Sequence, residues 1–518
     1  MSERPFCYKR DVLYSGRFLQ IDVYVKSRFC IKMHFPQVKW EIHALFCISR
    51  TARAYFMHYI AYSASVKSQG ANCGRKKMYT LTLQAYANRQ WSDAMTLIFV
   101  EPEKGFEGAC RIGYKTDYIA NNLESIDLPF CKAVSGRLPL DWDSTSLKKA
   151  PAFLFDIAPA GAARRFLMAR LGQDKPEDLS ADLFLLGRST PAPIGHLRVK
   201  ESIEALDDRA VMGFGREEVV ARDNSFLEYA YEQGAAIGGA TGAGGEAPKL
   251  LMAQARDGLL YPDAVLADDQ VAQHWFVKFA RNRAAQMDQT ILKSEFHYYK
   301  ALHTLGIETV AADGLALEEA TKPSLWMKRF DRNVSDRGVD RLAVESMYSL
   351  AGVTVPGSYM DHMEVIQLLA RLWSQAGQAA QIPDLIADYL RRDLLNKILG
   401  NSDNHGRNTS IIREESSVRL APIYDLAPMV MDEEGVTRST KWSKDLEVGG
   451  EVKWRAVCEA LSMIGDPEAL FEGLRDDARR FLALPDILSA SGLPEATLNY
   501  PAIALKNLDQ RLQHWGLT

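Results

Sequence analysis

Apolar and polar residues alternate at strand period in Met78-Tyr-Thr-Leu-Thr-Leu-Gln-Ala-Tyr86, which reads as the start of a domain. From there to about residue 200, short strand-like runs alternate with helical ones. Pro151-Ala-Phe-Leu-Phe-Asp-Ile-Ala-Pro-Ala-Gly161 leads into Ala162–Leu171, a run of strong helix formers. Leu250–Ala255, the turn signal Asp257-Gly258 and Leu259-Leu-Tyr261 predict a hairpin, and His274–Phe279 a further strand. Beyond 340, apolar spacings of three and four predict helices over 363–373 and over 383–399, the second ended by Gly400. A strand-rich front and a helix-rich back predict an α+β chain of two lobes. No internal repeat or long low-complexity tract interrupts it.

Composition divides the chain further. Its 518 residues are 47% apolar and 25% charged with a net charge of −4, which excludes wholesale disorder and a wholly basic nucleic-acid coat. Residues 1–77, however, carry fourteen Lys/Arg against four Asp/Glu, a balance of +10, leaving −14 for the remainder. Four of the seven cysteines (Cys7, Cys30, Cys47, Cys73) and thirteen of the fifty aromatics also lie there. This segment lacks clean periodicity. Interleaved basic and aromatic residues suit a nucleic-acid surface; the alternatives are an accessory extension, or sequence upstream of the true start and outside the functional unit. The cysteines form no CxxC pair and no zinc-type spacing, which with their odd number predicts a reduced, cytoplasmic setting. No run of 18 apolar residues and no secretory h-region is present, so no membrane association is expected.

Candidate chemistry begins in the run 234–245, with six glycines in twelve positions. Glycine lets backbone N–H groups turn toward phosphate. Lys249 follows Pro248, so the Gly-Lys-Ser/Thr ending of a P-loop is missing. A strand follows where a dinucleotide fold needs a helix. A glycine loop between strands fits a lid over ATP phosphates, or a flexible linker. Downstream, Asn401-Ser-Asp403-Asn-His405-Gly-Arg-Asn408 is followed by a short hairpin and Asp425. Phosphoryl transfer needs a carboxylate to accept the proton of the attacking hydroxyl and oxygen ligands for the metal ions. Asp403, Asn408 and Asp425 stand in the order of that machinery, although Asp403 could equally cap a turn. His405 is read as a brace for the loop. Upstream, Lys278 amid apolar residues requires a partner, and Glu295 at the start of a helical run is the candidate. Leu325-Trp-Met-Lys328-Arg-Phe-Asp331-Arg332 follows where an adenine-binding hinge would lie.

With these residues in place, the chain resembles the HipA family of serine/threonine kinase toxins from bacterial toxin–antitoxin pairs. Asn401–Asn408 is similar to the family's catalytic loop, Leu420-Ala-Pro-Ile-Tyr-Asp425 to its metal-binding motif, and Arg329-Phe-Asp-Arg332 to its hinge. Gly244-Gly-Glu-Ala-Pro-Lys249 is close to the end of its glycine loop, and Asp156-Ile-Ala-Pro-Ala-Gly161 with Arg164 to a segment of its N-terminal subdomain. The resemblance covers about 78–518. It implies an N-terminal subdomain over 78–200, an ATP-binding lobe over 201–330 and a helical catalytic lobe over 331–518. Asp403 would be the base and Asn408 and Asp425 the Mg²⁺ ligands. Gly242, Gly244, Gly245, Lys249, Lys278, Glu295, Lys328 and Asp331 would serve ATP. Two departures matter: Thr241 is the only hydroxyl in the glycine loop, where some members autophosphorylate a serine, and Lys328 replaces an acid before the hinge motif. The expected partners are a protein with a Ser/Thr acceptor and a separate helix-turn-helix antitoxin, through which alone DNA would be met. The alternatives are a catalytically idle subunit of a DNA-bound repressor, and a kinase acting on a lipid or small molecule.

Overall fold

The structure, a computed structural model, describes the backbone of residues 6–14, 17–25, 29–35 and 38–44, and all of 78–206, 211–221, 230, 249–281, 285–310, 312–319 and 323–518. The chain divides into two compact units, Met1–Arg75 and Lys76–Thr518. In the first, Phe6–Tyr14 (β1), Arg17–Val25 (β2), Phe29–Phe35 (β3) and Val38–Ala44 (β4) pair in chain order as an antiparallel meander. The sequence pattern predicts no elements here; a high content of aromatic and β-branched residues favours strands even without clean alternation.

The second unit opens with a five-stranded antiparallel sheet. Tyr79–Ala87 (β5) and Gln90–Phe99 (β6) form a hairpin, flanked by Cys110–Tyr114 (β7) and Thr145–Leu147 (β8) on one side and Leu197–Val199 (β9) on the other. Leu81, Leu83 and Ala85 are fully buried, as the alternation at Met78–Tyr86 requires. The helix Gly161–Leu171 forms where its composition predicts it. Helix Ala181–Arg188 is capped by the Ser180 hydroxyl, which accepts from the Leu183 N–H.

A second five-stranded sheet has the order Leu260–Pro262 (β11), Lys249–Ala255 (β10), Val271–Phe279 (β12), Ser324–Lys328 (β14) and Ala316–Glu318 (β13). Gly258, at φ 91°, turns the β10–β11 hairpin. The two sheets share one apolar core, in which Leu81, Leu97, Leu183, Val277 and Trp326 meet. A change of sheet near residue 200 is therefore not a change of core. Behind them the helices Gln286–Thr304, His362–Gln375, Ile382–Ile398 and Pro467–Phe481 enclose a second core around Tyr298, Leu390, Trp454 and Phe481. Among the described residues no helix is long and apolar enough to cross a membrane.

Buried charge joins these parts. Arg413, fully buried, donates to the carbonyls of Phe130 and Ala133, each at 2.8 Å, and pairs with Glu345 at 3.2 Å. Glu345 also accepts from the Ser135 hydroxyl (2.5 Å) and the Gly136 N–H (2.8 Å). The 130–136 loop of the first sheet is thus fastened to Ser410–Arg413, the strand that leaves the Asn401–Asn408 loop. A second cluster lies under the connector after β14. There Asp263 pairs with Arg329 and with His274 at 2.7 Å, while Asp331 pairs with both Arg329 and Arg332 at 2.7 Å.

Burial alone would raise the Asp263 carboxyl, but His274 and the Arg329 guanidinium outweigh it and hold the group far below the usual carboxylate range. A depressed native pKa stabilises the fold above the unfolded value of about 4 and loses that stabilisation as pH falls below it. Asp263→Asn should cost about 3 kcal/mol at pH 7, the scale for breaking a buried pair. The gap from the parent should narrow when urea unfolding is repeated near pH 3; an equal gap at both pH values would contradict the cluster's ionic role.

Candidate active site

The loop Asn401–Asn408 is positioned by the helix Ile382–Ile398 before it and the strand Ser410–Arg413 after it. Gly400 sits at φ 69°, and a Cβ there would come within 2.7 Å of the Ile503 and Val430 side chains, so only glycine ends the helix in this place. Within the loop, Asn401 Oδ1 accepts from the Asp403 N–H (3.2 Å), and Asn408 Nδ2 donates to the Asp403 carbonyl (2.6 Å). His405 Nδ1 accepts from the Arg407 N–H (3.2 Å), and the ring stacks on Tyr348. Burial pushes the His405 imidazole down to about 4, so at neutral pH it acts as a neutral brace. Gly406 lets the backbone press against Tyr348 Cδ1, which a Cβ would meet at 2.2 Å. The Asp403 carboxylate stands 3.7 Å from His405 Nε2, and Asn408 Oδ1 is buried with no hydrogen-bond partner.

Asp425 returns across the hairpin Ser410–Arg413/Val418–Leu420 with φ 54°, a left-handed conformation uncommon outside glycine. Its carboxylate accepts from Lys278 Nζ at 2.6 Å and lies 3.4 Å from Lys249 Nζ. Lys278 also donates to Glu295 at 2.5 Å, and the other Glu295 oxygen accepts from the Tyr299 hydroxyl at 2.9 Å. That hydroxyl in turn accepts from the Leu426 N–H at 3.2 Å, closing a ring back to Asp425. Lys278 lies on β12, and Lys249 opens the neighbouring β10 directly opposite it. Glu295 sits in the middle of the helix Gln286–Thr304 and not at its start; the helical pattern upstream was hidden by polar residues, Gln286, Asp288, Gln289 and Thr290.

Electrostatics follow from this packing. Burial would lower the Lys278 ammonium, but Asp425 and Glu295 overcome it and hold the group above its ordinary value. Burial would raise Asp425, yet Lys249 and Lys278 hold it well below the carboxylate range. Burial lowers Lys249 despite Asp425 beside it. Asp403 moves the other way: burial, then repulsion from Asp425, push it up to about 7 against the pull of Lys249 and Arg281.

Lys249, Lys278, Glu295, Lys328, Asp331 and Asp425 line one cavity, with Phe276, Met327 and Phe330 among its apolar walls. Phe330 stacks on Tyr424 with ring centroids 5.6 Å apart. The connector 328–332 therefore edges the cavity, but its side chains are engaged. Lys328 pairs with Asp313. Asp331 accepts from Arg329 Nε (2.9 Å), Arg332 and the Gly195 N–H (2.7 Å), which makes it chiefly a brace for the connector. Gly242, Gly244 and Gly245 lie outside the described residues, as does Thr241. Among the cavity residues to which sequence reasoning gave no role are Asp156 and Arg407. Both stand inside motifs already singled out, yet nothing in their spacing signals that they meet. Among the described residues no three His, Cys, Asp or Glu side chains form a metal cage.

Comparisons with known proteins bear on this geometry. Residues 241–481 match the model of the HipA-like C-terminal domain. The Sinorhizobium fredii protein named "Putative kinase Y4mE" is 30% identical over 115 residues, 21% of this chain and 26% of that protein, so the match spans about a quarter of the relative's length. HipA of Shewanella oneidensis MR-1, solved with HipB and its operator DNA, superposes with a TM-score of 0.55 at 17% identity, covering 84% of this chain and 97% of that one. The Helicobacter pylori proinflammatory kinase CtkA reaches a TM-score of only 0.30 at 12% identity, over 53% of this chain and 90% of that one. Residues 241–481 are thus similar to a HipA-like C-terminal domain, and the chain shares the two-lobed, kinase-like fold of HipA.

Proposed function

We propose that this protein is an ATP- and Mg²⁺-dependent kinase that phosphorylates a serine or threonine of another protein. The observation that carries this reading is the convergence of Lys278–Glu295, Asp425, Asn408 and Asp403 on one site. The residues fit the metal: Asn408 Oδ1 is a buried oxygen without a partner, and Asp425, across the hairpin that follows, is an ionised carboxylate. Mg²⁺ would be held by these two, with phosphate oxygens and water completing its shell, and would neutralise charge on the transferring group.

The chain's own residues supply the rest. Lys278 and Lys249 present cations to the phosphates, and Glu295 with Tyr299 fixes where the Lys278 ammonium stands. The connector and Phe330 wall the apolar part of the cavity, where a base would lie. Asp403 accepts the proton of the attacking hydroxyl at its carboxylate. A group near pH 7 combines an available basic form with a useful proton affinity. HipA of Shewanella oneidensis is seen with HipB and operator DNA, and this supports a role here as a growth-arresting toxin with a separate DNA-binding antitoxin.

Asp403→Asn should lower transfer of labelled phosphate from ATP by at least about 100-fold, the lower end for loss of a general base. Its thermal unfolding and ATP affinity should match the parent. Transfer at the parental rate would remove Asp403 as the base, and no transfer by the parent to any protein of a bacterial lysate would favour the idle-scaffold alternative. Lys278→Met should abolish transfer and also lower the unfolding temperature, because Glu295 and Asp425 would be left buried without their shared cation; an unchanged melt would contradict the ion triad.

A further inference from the structure

The N-terminal subdomain reaches the cavity through one side chain. Asp156 lies on the short helix Leu154–Ile157 and is one of the residues that line the same cavity as Lys278 and Asp425. It is held rigidly. Oδ1 accepts from the Ser346 hydroxyl (2.7 Å) and Oδ2 from the Ser346 N–H (3.0 Å), at the start of the helix Met347–Ala351. Arg407 Nε, buried and without a hydrogen-bond partner, stands 3.7 Å from Oδ1. The pair joins a residue far upstream to the Asn401–Asn408 loop.

A carboxylate has about four acceptor sites, and those two hydrogen bonds leave one free on each oxygen. The Ser346 bonds could be made by an amide, and Arg407 Nε at 3.7 Å balances the charge without occupying the remaining acceptor sites by a hydrogen bond. Negative charge there excludes phosphate as its neighbour, and the cationic pole of the cavity, Lys249 with Lys278, lies with Asp425. A fixed acceptor-only group takes hydrogen-bond donors from a nucleotide, the ribose hydroxyls or the base amino group; with the base against Phe330 and the connector, the hydroxyls are left for it, as for acidic residues in dinucleotide folds. We propose that Asp156 is a nucleotide-binding residue that accepts hydrogen bonds from the ribose hydroxyls, so that the N-terminal subdomain completes the nucleotide site. Burial raises its carboxyl to about 6 against the pull of Arg407, which leaves it ionised at neutral pH.

This inference rests on the nucleotide reading above, and one titration series separates the two. Binding of ADP, 2′-deoxy-ADP and 3′-deoxy-ADP with Mg²⁺ would be measured by calorimetry on the full chain, on Asp156→Asn and on Asp156→Ala, each checked for an intact fold by its thermal melt. The parent should bind ADP about tenfold more tightly than at least one deoxy analogue. Both variants should lose that preference and bind ADP as weakly as the parent binds the analogue. Folded variants that bind ADP like the parent, or that keep its preference for ribose, would overturn the role of Asp156 alone. A parent that binds none of the three nucleotides would overturn the nucleotide reading and this inference together.

Discussion

Two carboxylates and one ammonium, Asp425, Glu295 and Lys278, meet out of water, and much of the site's arrangement depends on keeping them together. Each ion buried alone would cost several kcal/mol, so Lys278 must stay between its partners. That demand fixes β12 against the helix Gln286–Thr304 and against the chain that returns after the hairpin. Tyr299 closes the ring through the Leu426 N–H, which fixes the peptide following the left-handed Asp425. Strain at Asp425 is thus held by contacts on both sides. Asp403, just outside the ring, is buried and also feels the Asp425 charge, and its raised proton affinity follows from both.

The same logic recurs where the β5–β9 sheet and its loops meet the segments around the cavity. Glu345 with Arg413, Asp331 with the Gly195 N–H, and Asp156 with Ser346 each bring a charged group to backbone or hydroxyl donors of another segment. All three contacts fall on residues next to the cavity or on the strand leaving the Asn401–Asn408 loop. Apolar contact between the sheets supplies bulk cohesion. Ionic contacts of defined geometry set the register. A subdomain fastened in this way shares the site's alignment.

Much of this was legible in the chain. Period-two alternation at Met78–Tyr86 and three–four spacing over 363–373 and 383–399 mark strands and helices because each element must bury one face, and burial shows as periodicity. Gly400 was legible as a helix end for a local steric reason. Chain order alone singled out Lys278, Glu295, Asp403, Asn408 and Asp425, because a residue type at a fixed place relative to a strand, helix or hairpin is visible one element at a time. Glu295 was placed at the wrong end of its helix, since polar residues at 286–290 carry no apolar stripe. The strands of 6–44 escaped because mixed basic and aromatic residues conceal alternation.

By itself, then, the sequence determined the local elements, the two-part composition and the cast of candidate residues. Only the tertiary structure decided which charges share a partner. That Asp331 spends its carboxylate on Arg329, Arg332 and Gly195, that Asn408 keeps a bare oxygen, and that Asp156 meets Arg407 across some 250 residues all depend on distance in space. Electrostatic pairing falls off with separation and burial, not with position along the chain. No spacing rule can report it.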